Sequence, residues 1–288
     1  MIAKLMRHVP LGGRPYCEPY MGGASLFFAR KPAPVEVLND LNSDLVNLFR
    51  CLQDPKTFPE LAHRIRYTLY SRAEFGRAIE ILKSDENDPI LRAWAMFVAA
   101  NQSFAGKYEV IGNWGRAIQE SAMGVAAENN KWIMRLSMLE DWHKRLLRVQ
   151  IDNRDALEVI RYWDNPKAVF YLDPPYHPDT WDLRDGYDHI PDAAYHEQLV
   201  NLILQCQGAI VLSGYDHPVY RPLVENGWTV TKYETVAHAA GKIRGSGLQG
   251  EGAAKAKVPR IECVWSNPRA QEMLKRQTGQ VSIFEITT

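Results

Sequence analysis

The chain has 288 residues, 46% of them hydrophobic, enough to bury a full core in one large domain or two small ones. Lys plus Arg and Asp plus Glu number 34 each, so there is no global basic field and any nucleic-acid contact has to come from local patches. No apolar run approaches the roughly 18 residues of a membrane span, and Lys4, Arg7 and His8 break up any signal-like stretch, so no membrane contact and a cytoplasmic setting are expected.

In chain order, the first strand-like run is "RPYCEP" at 14–19, followed by "EPYMGGASLFFAR", Glu18 to Arg30. Gly22 and Gly23 allow a tight turn and a close backbone approach to a ligand before a helix. The next strand, "VEVL" at 35–38, runs into "VLND", with Asp40 seventeen residues after Gly23. An α/β nucleotide site carries its ribose-binding acid at about that distance. Asp40 could instead cap the following helix, as could Asn39, Asn42 or Ser43, and Glu18 could be a turn residue. No Walker pattern or basic phosphate cradle is present, which suits a nucleoside ligand without phosphate.

From 41 to 147 the pattern is helical. Leu41, Leu45, Leu48, Phe49 and Leu52 recur at helical spacing, Ser71 and Glu74 predict a capping box, and Asp88-Pro89 opens an apolar helix to about Ala100. Trp132, Leu136, Leu139, Trp142 and Leu146 mark another helix. Residues 44–147 carry fourteen Lys or Arg against thirteen Asp or Glu, so the block is not basic as a whole. Its candidate polar contact segment runs from Asn101 to Arg116, where Asn101, Gln102, Lys107, Asn113 and Arg116 carry groups able to read base edges or grip phosphate if the partner is a nucleic acid. A plain polar loop is the alternative.

Strand-like runs then resume: "RVQI" at 148–151, "AVFYL" at 168–172, "AIVLS" at 209–213, "WTVTKYETV" at 228–236 and "RIECVW" at 260–265. Alternation with helices predicts an α/β fold, a Rossmann-like and mostly parallel sheet, interrupted by a helical insert. "YLDPPYHPD" at 171–179 ends one strand: Asp173 either caps it while Tyr176 packs, or the two form a pocket at the strand's carboxyl end, held by Pro174 and Pro175. Residues 237–258 read as a glycine-rich basic loop, in which Lys242 and Arg244 could close over DNA or simply be solvated. From Arg269 a flexible polar tail is expected.

Cys17, Cys51, Cys206 and Cys263 are far apart with no CxxC, and read as reduced thiols. His177, His189 and His196 read as loop or helix-surface residues, and no metal is expected.

"EPYMGG", "VLND" and "YLDPPY", in that order around a helical block, resemble the Dam-type (D12 class) DNA adenine-N6 methyltransferases, in a phage or prophage-like form. "NQSFAGK" at 101–107, "LSGYDHPVY" at 212–220 and "RIECVWSNP" at 260–268 extend the resemblance over about residues 3–268. It implies a catalytic domain at 1–42 and 148–268 binding S-adenosyl-L-methionine, a DNA-recognition insert at 43–147, and the tail at 269–288. Glu18, Tyr20, Gly22 and Gly23 would line the cofactor's methionine and ribose side, Asp40 its ribose, and Asp173, Pro174, Pro175 and Tyr176 the catalytic loop. Asp152 and Asp155 would lie beside its adenine, although Ala156 stands where the family often has an aromatic. Such enzymes commonly open with an aromatic-Gly-Gly-Lys segment; this chain opens with "MIAKLMRHVP", so a truncated start or reduced cofactor affinity is expected.

The chemistry follows from the residues. The lone pair of an exocyclic adenine amine is delocalised into the ring; Asp173 and the Pro174 carbonyl can accept its two N–H groups and aim that pair at a methyl donor. A flipped base could stack on Tyr176. RNA adenine, cytosine N4, or a DNA-binding protein with weak or no catalysis are the alternatives. "QVSIF", Gln280 to Phe284, resembles a sliding-clamp docking peptide.

Overall fold

A computed structural model describes residues 1–103, 113–116, 124–180, 192–236 and 259–285, with backbone only at 235–236, 259–260 and 280–285. Each strand-like run of the sequence is a strand: β1 (Tyr16–Glu18), β2 (Glu36–Asn39), β3 (Val149–Asp152), β4 (Val169–Leu172), β5 (Ala209–Tyr215), β6 (Thr229–Val236) and β7 (Pro259–Ser266). They form one sheet of order β3-β2-β1-β4-β5-β7-β6. The first five strands pair in parallel, and β7 runs antiparallel between β5 and β6.

Every residue of β1, β2 and β4 is buried, the mark of parallel strands covered on both faces. Alternate side chains divide between two cores. Tyr16, Leu38, Val169, Tyr171 and Val211 face the side that holds α1 (Ile2–Leu5), α2 (Ser25–Ala29) and the helices inserted between β2 and β3. Cys17, Val37, Phe170, Leu172 and Ile210 face α8 (Ala156–Trp163), α9 (Ala193–Ile203) and α10 (Arg221–Glu225).

Among the described residues the insert holds α3 (Ser43–Gln53), α4 (Phe58–Arg66), α5 (Arg72–Lys83), α6 (Pro89–Gln102) and α7 (Ala127–Leu146). Helix α6 starts as its sequence predicts, with Asp88 Oδ1 accepting from Ile90 and Leu91 N–H and proline in the first turn. Its Ala93 to Ala99 stretch is buried throughout, so the other insert helices pack around it. Only half of the expected capping box forms: Ser71 accepts from Glu74 N–H, but Ser71 N–H donates to Gln102 Oε1.

The insert shares the core of the sheet rather than standing off from it. Phe28 of α2 packs against Phe49 at 6.2 Å and Trp142 at 5.9 Å, and Arg145 of α7 forms a two-pronged ion pair with buried Glu36 of β2 while lying over the Phe27 ring. The expected flexible tail instead includes α11 (Pro268–Glu285). Its first turn is anchored by Asn267, whose side chain accepts from Ile210 and Ala270 N–H and donates to Gly208 O, and Ala270 is fully buried. Among the described residues no helix is long and apolar enough to cross a membrane.

Candidate active site

The chain passes from β1 to β2 and β3 on one side, then returns beside β1 with β4 and continues to β5 on the other. The strand order therefore reverses between β1 and β4, and the crevice outside their carboxyl ends is where open α/β sheets hold ligands. Glu18 ends β1 and Asp173 follows β4, so the two acids flank that crevice.

Asp173 is exposed toward the open edge, while its surroundings are protein; the resulting desolvation raises its carboxyl above the usual range. Bonds to the ionised form oppose this. The β4–β5 register sets Leu172 opposite Leu212, so the next residues, Asp173 and Ser213, meet, and Ser213 Oγ lies 2.8 Å from Asp173 Oδ1. Tyr171 OH is 2.9 Å from the same Ser213 oxygen. Pro174 is buried and Pro175 half-buried, which holds the loop after Asp173 against the protein.

Tyr176 lies stacked on Tyr215 of β5, ring centroids 4.1 Å apart, and its hydroxyl reaches Glu262 Oε1 of β7 at 3.5 Å. Burial, reinforced by the Asp173 charge, lifts Glu262 to about 7. Glu18 is buried more deeply: burial pushes it up to about 8, against a 2.6 Å bond from Tyr16 OH and the Arg30 charge. Arg30 itself lies over the Tyr16 ring at 3.4 Å.

The β1 loop turns through Gly22 at φ +45°, and Ala24 follows at φ +47°. Gly22 N–H donates to Asp40 Oδ2 at 3.0 Å, and Asp40 Oδ1 accepts from Asn42 N–H at 2.9 Å. Asp40 therefore braces the glycine loop, and the α3 cap falls to Asn42, which accepts from Asp44 and Leu45 N–H. A Cβ at Gly22 would meet nothing within 4 Å, and Gly22 and Gly23 are exposed, so backbone there is open to a ligand. Buried Asn39 ties this loop to the next, donating to Pro19 O and Arg154 O and accepting from Arg154 N–H. An open glycine backbone, a braced acid and further acids across the crevice fit a ligand with ribose hydroxyls and a cationic centre. Tyr20 OH lies 2.8 Å from Tyr195 OH.

Other candidates carry structural work. Asp155 caps α8 through Leu157 N–H, and Asp152 holds Arg154 by two bonds at 2.8 and 2.5 Å. Burial works against ionised Asp152, but the Arg154 bonds and Asn153 N–H outweigh it and lower its pKa. Gln102 is withdrawn as a DNA contact: it is fully buried, donating to Leu69 O and accepting from Ser71 N–H. Asn101 is half-buried and donates to Phe97 O, Asn113 is half-buried and Arg116 exposed. Lys107, Lys242, Arg244 and His189 lie outside the described residues.

His177 and His196 are not surface residues but buried, at 4% and 0% exposure. His177 stacks on His217 at 3.6 Å between centroids, with Asp179 Oδ2 at 3.8 Å from His177 Nδ1 and 3.5 Å from His217 Nε2. These are metal-ligating residue types, but both Nδ1 atoms already accept backbone N–H, from Asp179 and Val219. A groove between α4 and α7, lined by Phe58, His63, Tyr67 and His143, is on the insert and contains none of the acids described above.

A parallel sheet with one antiparallel strand beside its edge, and an Asp-Pro-Pro-Tyr loop at its switch point, defines a Rossmann-like methyltransferase. A family model describing the D12 class N6 adenine-specific DNA methyltransferases matches residues 1–220, and the chain belongs to that family. Its reaction is therefore methylation of adenine N6 in DNA, and enzymes of the class generally use S-adenosylmethionine. No curated protein matches the chain.

Proposed function

We propose that the chain binds S-adenosylmethionine in the β1–β4 crevice and methylates N6 of an adenine flipped out of a specific site in double-stranded DNA. The observation that carries this reading is Asp173, hydrogen-bonded by Ser213 and exposed at the crevice beside the glycine loop.

The cofactor supplies a methyl group already activated on a sulfonium. The protein's task is the amine. Asp173 and the Pro174 carbonyl each accept one N–H, which draws the nitrogen toward tetrahedral geometry and directs its lone pair at the methyl. Because Asp173 must be ionised to accept both strongly and in the right direction, Ser213 and Tyr171 support catalysis by offsetting desolvation. Flipping costs a few kcal/mol, and stacking on Tyr176 returns about 1–3 kcal/mol. Glu18, Tyr20, Gly22, Gly23 and Asp40 hold the cofactor's methionine and ribose side, with Asp152 and Asp155 nearer its adenine while keeping their bonds within the fold.

The 43–147 insert and the 237–258 loop supply the DNA contacts, from Asn101, Lys107, Asn113, Arg116, Lys242 and Arg244. Clamp docking through Gln280 to Phe284 rests on sequence pattern alone, and deleting residues 279–288 without loss of clamp binding would remove it. Modification-sensitive sequencing of DNA from cells expressing the chain or Asp173→Ala tests the main reading. Methylated adenine at a fixed sequence with the first and not the second is expected; methylation confined to RNA or cytosine would redirect it.

A further inference from the structure

The catalytic loop is bound to a strand far from it in sequence. Tyr215 of β5 and Glu262 of β7 are Cα partners in an antiparallel ladder, so their side chains leave the sheet together on one face. The Tyr176 ring lies on Tyr215 at 25° between planes, and its hydroxyl points to the Glu262 carboxylate. Glu262 is 9% exposed, which is unusual for an acid.

We infer that Glu262 and Tyr215 are positioning residues for Tyr176, Tyr215 backing the ring and Glu262 fixing its hydroxyl, so that the loop presents the ring at one tilt. This rests on the reading of Tyr176 as support for a flipped base. A base stacks well only on a ring whose plane is fixed beforehand, because ordering the ring at the moment of binding subtracts from the stacking gained. Two contacts of different kind define that plane, one at the ring face and one at the hydroxyl.

The device is sensitive to pH. Glu262 titrates near 7, and an ionised acceptor holds a phenol more strongly than a neutral one. The groups facing it among the described residues are Tyr171 from β4, Asp173 and Tyr176 from the loop after it, Tyr215 from β5, and Tyr233 from β6, whose hydroxyl is bound by His8 and whose ring lies under Lys4. Asp173 is the one neighbour whose own ionisation opposes that of Glu262 directly.

The test uses full-length protein carrying 3-fluorotyrosine, with the Tyr176 resonance assigned by its loss in Tyr176→Phe. Its ¹⁹F shift should move with pH through a midpoint near 7 in the wild type and stay flat in Glu262→Gln. In Tyr215→Leu the resonance should lose its ring-current shift. In parallel, Glu262→Ala should lower kcat/KM for DNA roughly tenfold with unchanged cofactor binding, and Glu262→Gln should recover most of it at low pH. A pH step that persists in Glu262→Gln would assign it to Asp173 and overturn the inference, as would an unaltered kcat/KM in Glu262→Ala. If the wild type shows the step but transfers no methyl to DNA, the positioning contact stands and the functional reading fails.

Discussion

Ser213 of β5 donates a hydrogen bond to Asp173 Oδ1 at 2.8 Å, across the carboxyl edge of two strands whose register aligns them. Asp173 is the acid on which the proposed chemistry turns, and desolvation favours its neutral form. Ser213→Ala removes a bond to the ionised form, so the acidic limb of the kcat/KM profile should move to higher pH, with little change on the alkaline plateau. Single-turnover transfer of labelled methyl from pH 5 to 9 measures this; an unshifted limb would mean that Ser213 does not act on Asp173. Asp173→Ala should abolish transfer and leave the fold intact by circular dichroism.

Glu18 gives a stability signature of opposite sign to that of a surface acid. Its folded pKa, about 8, is raised above the ordinary 4.5, so the stability it contributes is full below 4.5 and is lost as pH rises through 8. At about 1.4 kcal/mol per unit the effect is of order a few kcal/mol. Glu18→Gln should flatten the fall in denaturation midpoint between pH 5 and 9 and be more stable than wild type at the alkaline end. Urea unfolding across that range reads it.

Arg145 and Glu36 fasten the insert to the sheet, Glu36 buried and Arg145 half-buried, with side-chain exposures of 1% and 14%. Truncating one partner leaves the other charge buried and unpaired, so Arg145→Ala should cost about 3–5 kcal/mol. Replacing both, as Glu36→Gln with Arg145→Met, should recover much of that. A double-mutant cycle in urea measures the coupling, and additive costs would show that the pair does not couple.

Gly22 has φ +45° and open space where a Cβ would go, so Gly22→Ala carries a backbone cost of about 1–2 kcal/mol rather than a clash. Its N–H to Asp40 should weaken with it. Titration calorimetry with S-adenosylmethionine should show weaker binding in Gly22→Ala and in Asp40→Ala, while Asn42→Ala, which removes the α3 cap, should lower stability.

The central strands were legible because burial on both faces requires apolar residues in succession, and "AVFYL" or "AIVLS" has no other use in a chain of this composition. Helix starts were legible where proline and a capping side chain coincide, as at Asp88-Pro89. Burial of polar groups was not. Gln102 resembles a contact residue in sequence, yet the two ends of its amide satisfy backbone groups of the chain around Leu69 and Ser71. His196 shares the buried face of α9 with Leu199, Val200 and Ile203, a helical spacing that was open to reading, whereas His177 has no such pattern and is buried against His196 and His217. Asn39 and Ser213 stand in strands as ordinary short polar residues, and only their neighbours on other strands give them work.

By itself the sequence determined the alternation of strands and helices, the glycine turn, the acid after the second strand and the Asp-Pro-Pro-Tyr loop, because propensity, caps and turns act over a few neighbouring residues. Tertiary structure decided which acids share one crevice. Glu18 of β1, Asp173 after β4 and Glu262 of β7 come together across the sheet, and their raised pKa values exist only because the sheet order brings those segments together and buries the carboxyls. Desolvation and charge coupling depend on distance through space, and sheet order, not chain order, sets that distance.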